Sequence, residues 1–515
     1  MMRLLPDYLK WSSATYPNKI ALIHDTGTCT FSELNSRANR LSNALRDMGL
    51  RKGDKISVLL FNCKEYFEIL WGLTQVGMIP VPLNFRYIGK EIEYIVNHSE
   101  SKGLILGEEF IESVSTILPD LRVRSQHLLV VGQAVPPGMK RYEEMLAQSS
   151  AKEPDTEVTG TDCFWIQYTA GTTGFSKGCI HLHQNIVESA KLNILEYGLG
   201  HEEVNLTAGP IYHTSFSMFA LTSLAFTGTV CITNHFKPEE TLRIIESQKI
   251  TNAFMVPSMF EAILNLPEEE RRKYDLRSVR ILITGGSPLY TKTKEGLLAL
   301  FKHAGLNEFY GGTEIGLATN LSPKDQLRKT RCVGKPLWGQ EIRILNDDGD
   351  EVPKGEVGTI FVKGLIVFDG YYKDPQATLD CRNGEWVTLN DVGRLDEDGY
   401  LYLVDRKKDM VISGGENIYP IEVENVLVAH PKIREVAVIG VPDEKWGEGL
   451  RAIIVLKKGE EATEEEIIDY CSGRLAGFKK PRSVEFRNEL PRSSFGKVLK
   501  RVLREPYWQD RDVKI

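Results

Sequence analysis

A stretch rich in glycine and hydroxyl residues follows the apolar run 164–166, and its residue types suit phosphate binding. It reads Tyr168-Thr-Ala-Gly-Thr-Thr-Gly-Phe-Ser-Lys-Gly178. Glycine lets backbone N–H groups turn toward an anion, the hydroxyls add donors, and the lysine supplies a mobile cation. The spacing differs from that of a Walker loop, and an ordinary surface linker has a similar composition. Lys177 and the hydroxyl groups of this stretch are therefore candidates for phosphate contact.

A second polar cluster, Tyr310-Gly-Gly-Thr-Glu-Ile-Gly316, places a carboxylate next to a hydroxyl in a glycine-rich turn. Mg²⁺ prefers one or two carboxylates together with phosphate oxygens, which makes Glu314 a candidate metal ligand. Farther along the chain, Asp391 ends the run Trp386-Val-Thr-Leu-Asn-Asp391. A carboxylate can accept two hydrogen bonds from a ribose diol, so this residue type suits a nucleotide sugar.

The elements that must position these clusters alternate between strands and helices over the first 340 residues. The run 56–61 predicts a strand, and Asn62 then predicts a cap for a helix over 64–76 that Gly77 ends. This rhythm recurs, because the sequence predicts further strands and helices over 79–83, 252–256, 280–284, 292–303 and after Pro257. Such alternation indicates a largely parallel sheet that is covered on both faces.

Ligands of such sheets bind at the loops that leave the carboxyl ends of the strands. Gly285-Gly-Ser-Pro-Leu289 is one such loop, because it follows the predicted strand over 280–284. Beyond about residue 340, short strands replace the alternation, and Glu397-Asp-Gly399 predicts a hairpin turn. These strands are predicted over 342–345, 358–363 and 400–405.

A charged block without apolar periodicity, Asp405-Arg-Lys-Lys-Asp409, precedes a final α+β pattern. That pattern predicts strands over 436–440, 452–456 and 484–487, and helices over 464–475 and from Val498. A chain of 515 residues exceeds what one hydrophobic core normally serves. We therefore expect an α/β fold: a large N-terminal domain of parallel sheets with a β-rich subdomain, and a small, mobile α+β C-terminal domain.

Composition argues against several classes of protein. The net charge of -7 is unfavourable for a dedicated nucleic-acid binder. The eight cysteines include no Cys-x-x-Cys pair, which favours reduced and mostly buried thiols. The N-terminus lacks the apolar run of a signal peptide. The uncharged segment 204–236 is broken by glycine, proline and polar residues, so we expect core elements, no transmembrane segment and a cytoplasmic protein.

Taken together, these clusters resemble the acyl-adenylate-forming superfamily, which comprises acyl-CoA synthetases, beetle luciferases and the adenylation domains of peptide synthetases. The resemblance runs from Phe31-Ser-Glu-Leu34 to Lys497, nearly the whole chain. Several motifs in the right order carry it, whereas any single motif would be weak. It implies ATP, Mg²⁺ and coenzyme A as cofactors and co-substrate.

The resemblance assigns the phosphates and the metal to two of these clusters. The loop 168–178 would hold the β- and γ-phosphates of ATP and close over them. Ala170 stands where the family has Ser or Gly, and Ser176 where it has Pro, but neither departure removes a cation or a required glycine. Glu314 would bind Mg²⁺, and Thr313 would contact the α-phosphate.

The nucleoside would lie between Tyr310, stacked on adenine, and an opposite wall formed by 285–288. Asp391 and Arg406 would contact the ribose, although Leu389-Asn390 replaces the Thr-Gly pair that usually precedes this aspartate. That departure would affect the shape of the loop more than the carboxylate. The implied ATP-binding residues are Thr169, Thr172, Thr173, Lys177, Gly286, Ser287, Tyr310, Gly311, Thr313, Glu314, Asp391, Arg406 and Lys497. Those implied to be catalytic are Thr169, Glu314 and Lys497.

The charged block and the segment after it match two further features of the family. Lys408 stands at the hinge about which the small domain would rotate between two half-reactions. Ser413-Gly-Gly-Glu-Asn-Ile-Tyr-Pro-Ile-Glu-Val-Glu424 matches the Gly-Gly-x-Asn-x-x-Pro-x-Glu signature. Gly414 and Gly415 would line the tunnel for the pantetheine arm. The expected division is a large domain over 1–405, a hinge over 406–408 and a small domain over 409–515.

Lys497, in Leu490-Pro-Arg-Ser-Ser-Phe-Gly-Lys497, aligns with the catalytic lysine of the family. The reaction needs this charge because a carboxylate that attacks a polyphosphate brings two anions together. Phe495 replaces a usual Ser/Thr and leaves the lysine in register. The segment also has the Pro-x-x-x-x-Gly-Lys form through which bacterial acyl-CoA synthetases are inactivated by acetylation. A lysine acetyltransferase that modifies Lys497 is therefore a hypothetical partner.

The acyl pocket of the family is lined by an aromatic-plus-His segment, whose place is taken here by Pro210-Ile-Tyr-His-Thr-Ser215. A histidine satisfied within the core is the alternative for His213. The implied lining is apolar with small residues and offers no charged partner for an α-amino group. We expect a short- or medium-chain fatty acid or an aromatic acid. The residues implied to line the pocket are His213, Gly285, Gly311 and Ile315.

The resemblance implies a reaction in two steps. A carboxylate attacks the α-phosphate of MgATP, which releases pyrophosphate and leaves acyl-AMP, and the thiol of coenzyme A then attacks the activated carbonyl. Transfer to a carrier protein, or reaction with oxygen as in luciferases, is the enzymatic alternative. A nucleotide- or acyl-binding protein without catalysis is the alternative from another class. The basic residues between 474 and 504 would favour the nucleotide part of coenzyme A.

Overall fold

The structure is a computed structural model that describes residues 4–169, 176–330, 332–406, 409–413, 416–443, 446–472, 474–475, 477–492 and 498–508. Six predicted site residues lie outside these ranges: Thr172, Thr173, Lys408, Gly414, Gly415 and Lys497. Of Arg406, only the backbone lies within the described part of the chain.

The first part of the chain contains a five-stranded sheet in the order β4-β3-β5-β6-β7, with all strands parallel. Parallel neighbours need long crossovers, which the helices supply. The elements are α1 Leu5–Thr15, β1 Ile20–His24, β2 Gly27–Thr30, α2 Phe31–Asp47, β3 Lys55–Leu59, α3 Lys64–Thr74, β4 Ile79–Pro82, α4 Gly89–His98, β5 Ser101–Gly107, α5 Ile111–Ser115, β6 Leu128–Val131, β7 Lys140–Arg141 and α6 Tyr142–Gln148.

A nine-stranded sheet in the order β16-β15-β14-β13-β12-β10-β11-β1-β2 forms the second layer. Its six central strands run parallel, and the strands toward both edges are antiparallel. The elements of this part are β8 Cys163–Thr169, β9 Lys177–Leu182, α7 His183–Tyr197, β10 Val204–Thr207, α8 Thr214–Ala225, β11 Thr229–Ile232, α9 Pro238–Ser247, β12 Asn252–Phe254, α10 Pro257–Leu264, α11 Glu268–Arg271, β13 Ile281–Gly285, α12 Thr291–Leu300, β14 Gly305–Gly312, β15 Gly316–Leu321 and β16 Lys335–Pro336.

Antiparallel strands dominate the next part, as the change of pattern near residue 340 predicts. Strands β20-β21-β18-β22-β23 form one sheet with β17 added on β18, and β19 joins β9 and β8 in a three-stranded sheet. The predicted hairpin turn joins β22 to β23, where Gly399 has a φ of 79°. The elements are β17 Gln340–Leu345, β18 Gly358–Gly364, β19 Gly370–Tyr371, α13 Pro375–Asp380, β20 Arg382–Asn383, β21 Trp386–Val387, β22 Asp391–Leu395 and β23 Leu401–Arg406.

The last part has a sheet of its own, in the order β25-β24-β27-β26, with β28 parallel to β27. The hairpin of β26 and β27 is longer than its apolar centres at 436–440 and 452–456 predict, because the pairing continues through polar residues at both ends. The elements are β24 Val411–Ser413, β25 Glu416–Ile418, α14 Pro420–Leu427, β26 Ile433–Asp443, β27 Gly447–Leu456, α15 Glu464–Tyr470, β28 Ser483–Phe486 and α16 Lys500–Trp508.

The α/β architecture agrees with the fold class predicted from the sequence, and one local expectation is wrong. Asn62 does not cap α3, whose N-cap residue is Cys63. Its amide instead donates to the carbonyl oxygens of Gly209 and Thr233 at 2.8 and 3.0 Å, and its Oδ1 accepts from the Ile211 amide at 2.8 Å. The side chain thus ties the five-stranded sheet to the loops that follow β10 and β11.

The cysteines and the uncharged segment behave as predicted. All eight cysteines are free, and each is buried or half-buried. The segment 204–236 forms β10, α8 and β11, and α8 is buried from Phe216 onward. Within the described ranges, no helix has the length and apolarity that crossing a membrane requires.

Candidate active site

The base of the predicted phosphate loop is the hairpin of β8 and β9. These strands pair antiparallel, with Thr169 opposite Lys177 at the open end of the hairpin. The Thr169 hydroxyl points at the Lys177 carbonyl oxygen, to which it donates at the long distance of 3.5 Å. The pairing therefore brings a hydroxyl and an ammonium group together where the chain leaves and re-enters the two strands.

Glu314 lies close to this base and is held by Tyr371, a residue that the sequence did not single out. The Tyr371 hydroxyl donates to Glu314 Oε1 at 2.8 Å, and Lys177 Nζ lies 5.1 Å from the centroid of the Tyr371 ring. Burial, reinforced by the Glu314 carboxylate, raises the pKa of Tyr371, so its hydroxyl remains a donor at neutral pH. Tyr371 thus links the candidate phosphate cation to the candidate metal ligand.

The turn that carries Thr313 and Glu314 is anchored through its backbone. His181 Nε2 lies 2.8 Å from the Thr313 carbonyl oxygen, and because that oxygen only accepts, the nitrogen carries the proton and donates. Burial lowers the pKa of His181 to about 4, so the ring is neutral at pH 7. The Phe368 amide donates to the Glu314 carbonyl oxygen at 2.9 Å. A side chain of β9 and the backbone of the segment before β19 therefore fix this turn.

Tyr310 and Asp391 meet although they lie in different sheets. The Tyr310 hydroxyl donates to Asp391 Oδ2 at 2.9 Å, and both residues are buried. Asp391 starts β22, directly opposite Arg406 in β23. The carboxylate predicted for the ribose is therefore oriented by the aromatic residue predicted for adenine.

The Leu389-Asn390 departure preserves the loop shape that a glycine would allow. Asn390 has a φ of 59°, in the left-handed region, where asparagine is one of the few side chains that is tolerated. The backbone N–H of Asn390 donates to the Thr388 hydroxyl at 2.9 Å. A Cβ on Gly312 would lie 2.7 Å from Leu389 Cδ1, which shows that Leu389 packs directly over the Glu314 turn.

Glycines bring the two neighbouring strand ends into close contact. Gly285 pairs with Phe309 in parallel register, and a Cβ on Gly285 would lie 2.8 Å from the Phe309 ring. Gly286 follows with a φ of 84°, and Ser287 continues the loop. A Cβ on Gly311 would collide with the carbonyl oxygen of Gly316. The loop 285–289 and Tyr310 therefore lie at adjacent carboxyl ends of β13 and β14.

The remaining pocket residues separate into two locations. His213 is the N-cap residue of α8, and its Nδ1 accepts from the Ser215 amide at 3.3 Å. Burial lowers the pKa of His213 to about 3, so its ring is neutral. Ile315 is fully buried with Tyr310 and Ala318 in the core of the β-rich part. The structure therefore brings His213 and Gly285 to one face of the large sheet and places Ile315 behind the other.

A single carboxylate suits a magnesium ion whose other ligands come from ATP. Among residues whose placement is described, no group of three or more His, Cys, Asp or Glu side chains could hold a metal ion by itself. Mg²⁺ normally keeps several waters and is bound through one or two carboxylates plus substrate phosphates. Glu314, oriented by Tyr371 and close to Lys177, fits that role.

Most basic residues that the structure describes between 474 and 504 are paired with carboxylates. Arg487 and Arg501 pair with Glu485 and Glu505, close in sequence, and five others pair with carboxylates of more distant segments of the C-terminal part. The pairs are Lys479–Glu422, Arg482–Asp443, Arg492–Glu435, Lys500–Glu424 and Arg504–Asp409. The interpretation of these residues as a solvated, internally paired surface therefore accounts for them.

Comparisons with known proteins identify the family to which this chain belongs. The family model described as AMP-binding enzyme matches residues 9–372, and the model of the AMP-binding enzyme C-terminal domain matches residues 422–497. The long-chain-fatty-acid–CoA ligase FadD13 of Mycobacterium tuberculosis is 33% identical over 492 residues, which cover 93% of each chain. The feruloyl-CoA synthase of Amycolatopsis sp is 35% identical over 496 residues, which cover 95% of this chain and 96% of the relative.

A solved structure extends the agreement to three dimensions. The ATP-bound MatB of Rhodopseudomonas palustris superimposes with a TM-score of 0.89 at 31% identity, over 98% of this chain and 99% of that one. The resemblance inferred from the sequence motifs is thereby confirmed. The chain therefore belongs to the AMP-binding enzyme family, and it is an AMP-forming acid–thiol ligase that uses ATP, Mg²⁺ and coenzyme A.

Proposed function

We propose that this enzyme converts a short- or medium-chain fatty acid, or an aromatic acid, into its coenzyme A thioester at the site between Asp391 and Lys177. The observation that carries the proposal is a continuous set of polar contacts across that site. Asp391 is bonded to Tyr310, the same strand leads to Glu314, and Glu314 is bonded to Tyr371 beneath Lys177. This order follows ATP from its ribose to its terminal phosphates.

The nucleoside would occupy the slot between Tyr310 and the loop 285–289. Asp391 would accept hydrogen bonds from the ribose hydroxyls, with Arg406 beside it, because an ionised carboxylate accepts at both oxygens. Gly286 and Ser287 would form the wall opposite the Tyr310 ring, and Gly311 would leave the space between them open. A side chain at Gly311 is excluded by the Gly316 carbonyl oxygen, which supports a role in shaping this slot.

The phosphates would lie between Glu314 and the loop at 170–175. Lys177 and Thr169 would contact them from the base of the loop, and Thr172 and Thr173 from the loop itself. Bound at Glu314, Mg²⁺ would neutralise charge on the phosphate oxygens. The Thr313 hydroxyl would face the α-phosphate, since the His181 contact fixes the backbone of that turn.

Acyl transfer would proceed in two steps that use different arrangements of the large domain (1–405) and the small domain (409–515). In the first, Lys497 would screen the attacking carboxylate from the α-phosphate, whose bond to pyrophosphate breaks as the acyl–phosphate bond forms. In the second, after rotation about a hinge at 406–408 centred on Lys408, the thiolate of coenzyme A would displace AMP. Gly414 and Gly415 would admit the pantetheine arm.

The acid is proposed to be neutral outside its carboxylate. The relatives that match this chain along nearly their whole lengths are named for a long-chain fatty acid and for ferulate, so overall similarity does not fix the acyl group. The loss of charge on His213 through burial, together with the small residues Gly285 and Gly311, supports an uncharged and apolar acyl group. Ile315, which the resemblance also implies for the pocket, packs with Tyr310 in the core of the β-rich part, so it would affect the acyl group only indirectly, through Tyr310.

The panel experiment that tests this function measures pyrophosphate release from MgATP with a series of carboxylic acids, with and without coenzyme A. Turnover that depends on both one acid class and coenzyme A is the expected result. A single burst that coenzyme A leaves unchanged would favour a carrier protein as the acceptor. No release with any acid would contradict the enzyme function and favour a binding protein.

Variants assign the roles within the same assay. Glu314→Gln and Asp391→Asn remove charge without changing size, and each is expected to lower kcat/KM for MgATP by about a hundredfold. The matched control is Glu397→Gln, at an exposed turn between β22 and β23, which should leave the rate unchanged. Equal rates for all three variants would overturn the assignment of the two site carboxylates.

Two further parts of the proposal concern the cell. We place the enzyme in the cytoplasm, where ATP and coenzyme A are available, and we keep acetylation of Lys497 by a lysine acetyltransferase as a regulatory hypothesis. Because acetylation would remove the positive charge, Lys497→Gln should abolish adenylation but not thioester formation from supplied acyl-AMP. Full adenylation by this variant would contradict both the catalytic and the regulatory role.

A further inference from the structure

Four phenylalanine rings fill the space below Gly285, on the face of the nine-stranded sheet that α8 covers. Phe254 of β12 lies at the centre, with ring centroids 4.7 Å from Phe216, 5.1 Å from Phe219 and 5.6 Å from Phe309. Phe219 and Phe309 are themselves 6.2 Å apart. Aromatic pairs at these separations are in van der Waals contact, so the four rings form one packed layer.

Phe309 is the member of this layer that approaches the candidate active site. It precedes Tyr310 in β14, and consecutive side chains of a strand point to opposite faces of the sheet. Tyr310 accordingly packs in the core of the β-rich part, whereas Phe309 packs with the α8 side. One strand thus separates the side on which Tyr310 meets Asp391 from the α8 side, on which the Phe309 ring packs.

The Phe309 ring occupies the room that the missing side chain of Gly285 provides. These two residues are paired in parallel register, and a Cβ on Gly285 would lie 2.8 Å from two carbons of the ring. On the opposite side of the layer, the Phe216 ring covers Gly209 so closely that a Cβ there would collide with it. Glycines at both ends therefore let the rings pack directly against the backbone.

Burial shows that the layer is tightly packed. The exposed fractions of the four side chains are 2%, 2%, 3% and 4% for Phe216, Phe219, Phe254 and Phe309. Their surroundings are aliphatic or aromatic residues of the same core, including Leu206, Met255 and Leu317. A close-packed interior of this kind resists insertion of additional methylene groups.

We propose that Phe309 is the floor of the acyl pocket and that the enzyme activates compact acids, namely short aliphatic or single-ring aromatic acids. The inference rests on the proposed function, because it takes the acyl group to lie beside His213, Gly285 and Gly311. An acyl chain that enters there reaches the Phe309 ring after a few carbon atoms. A long chain would have to displace this ring into Phe254 and Phe219, for which the packed layer leaves no room.

The first test needs only the unmodified enzyme. Coenzyme A-dependent pyrophosphate release is measured with butyrate, hexanoate, benzoate, decanoate and palmitate. We expect kcat/KM to fall by about tenfold or more for each methylene that does not fit the pocket. Decanoate and palmitate should therefore be far poorer substrates than the best of the shorter acids. Equal or higher kcat/KM with palmitate than with butyrate would overturn the inference and leave the proposed function standing. No turnover with any acid would overturn both.

The second test moves the floor. Phe309→Ala is expected to raise kcat/KM for decanoate by at least about tenfold and to lower it for butyrate, so that the order of preference inverts. The matched control is Phe260→Ala, which removes a fully buried ring from α10 in the same core and leaves the four rings of the layer in place. It should lower thermal stability while preserving the preference of the wild type.

A second, milder variant at the same position tests the role of Phe309 even if Phe309→Ala does not fold. Phe309→Leu retains an apolar side chain of smaller reach and should extend the accepted chain by a smaller step. A preference that is unchanged in every folded variant at this position would contradict the assignment of Phe309. A shift that also appears in Phe260→Ala would contradict it equally, because the effect would then follow from general loosening of the core.

Discussion

At the scale of single residues, the site is held by side-chain hydrogen bonds between distant parts of the chain. Tyr310 and Asp391 are 81 positions apart, and Glu314 and Tyr371 are 57 positions apart. Each pair joins a carboxylate with a proposed ligand to a phenol that fixes its orientation. Hydrogen bonds to charged groups are the stronger kind, typically about 1.5–3 kcal/mol. The phenols are therefore expected to act on binding through the carboxylates.

Tyr371→Phe tests this at the candidate metal ligand. The change removes the hydrogen bond to Glu314 Oε1 and leaves the ring beneath Lys177, so the carboxylate loses its orientation but the cation keeps its neighbour. We expect the Mg²⁺ concentration for half-maximal pyrophosphate release to rise by about tenfold, as is usual for partners of metal ligands. Initial rates at fixed ATP and varied Mg²⁺ give this value.

The neighbouring tyrosine provides the control for this prediction. Tyr372 carries the same phenol in the same segment, but it donates to Glu100 at the surface, 2.9 Å away. Tyr372→Phe should keep the Mg²⁺ dependence of the wild type. An equal increase in both variants would show that the segment, and not the Glu314 contact, determines metal affinity.

At the scale of elements, the functional groups lie on loops that follow strand ends, and the shape of each loop is set by one or two residues. Asn390 is the clearest case, because its φ of 59° would strain most side chains. The strand β9 acts similarly, since His181 reaches from it to the backbone of the Glu314 turn. We expect Asn390 to position Asp391, and His181 to position the turn that carries Thr313 and Glu314.

Replacing Asn390 separates backbone strain from chemistry. Asn390→Val should lower the free energy of unfolding by about 1–2 kcal/mol, the usual cost of the left-handed conformation, and raise KM for ATP because Asp391 is the next residue. Asn390→Gly should stay within about 0.5 kcal/mol of the wild type. Urea unfolding and ATP saturation curves measure both effects. A valine variant with wild-type stability would contradict the left-handed conformation.

His181 predicts a dependence of stability on pH. Its pKa is about 4 in the folded protein and near 6.5 when unperturbed. Above pH 6.5 the ring is neutral in both the folded and the unfolded protein. Between pH 6.5 and about 4 only the unfolded protein binds the proton, so the free energy of unfolding decreases as the pH is lowered. This difference corresponds to a loss of about 3 kcal/mol, complete below about pH 4.

A variant that cannot titrate isolates this contribution from that of other groups. His181→Asn should be less stable than the wild type at pH 7, and the gap in unfolding free energy should narrow as pH falls from 6.5 to 4. Urea titrations across this range measure the gap. His201→Asn, at an exposed loop, should follow the wild type throughout. A gap that stays constant over this pH range would show that the His181 ring of the wild type is protonated as readily in the folded protein as in the unfolded one.

At the scale of the whole molecule, charged groups of the C-terminal part lie near α10 and the loop that leads to the proposed adenine wall. Burial raises the pKa of Glu261 on α10, and the Arg492 guanidinium opposes that rise from across the interface. Arg492 is itself bonded to Glu435 of β26. Burial likewise raises the pKa of Tyr290, just after the loop 285–289, and Glu424 of α14 adds to the rise. The arrangement joins both parts through charged groups.

Arg492→Ala is expected to affect the two half-reactions unequally. Loss of its attraction to Glu261 should slow adenylation by about twofold to fivefold, since an attraction between partly exposed charges contributes at most about 0.5–1 kcal/mol. Thioester formation from supplied acyl-AMP should be unchanged if the contact belongs to the first arrangement only. Arg487→Ala, whose side chain pairs with Glu485 within the small part, is the matched control. Equal slowing of both steps would contradict this assignment.

Sequence patterns alone were enough to predict the α/β class, the change to antiparallel strands near residue 340 and the family. These follow from local periodicity and from ordered motifs that each lie within a dozen residues. The ends of helices and strands are predicted less accurately. The prediction that Asn62 caps α3 is wrong because no local pattern distinguishes a capping asparagine from one that hydrogen-bonds to distant loops.

Which side chains meet depends on tertiary packing, and sequence patterns do not predict it. Tyr371 holds Glu314 because β19 pairs with β9, His181 holds Thr313 because β9 lies against the β14–β15 turn, and Phe309 closes over Gly285 because β13 and β14 pair in one particular register. Residue type and spacing along the chain carry no record of register between distant strands. That register follows from packing of the whole core, and it determines how the candidate site is oriented and, in our proposal, how deep the acyl pocket is.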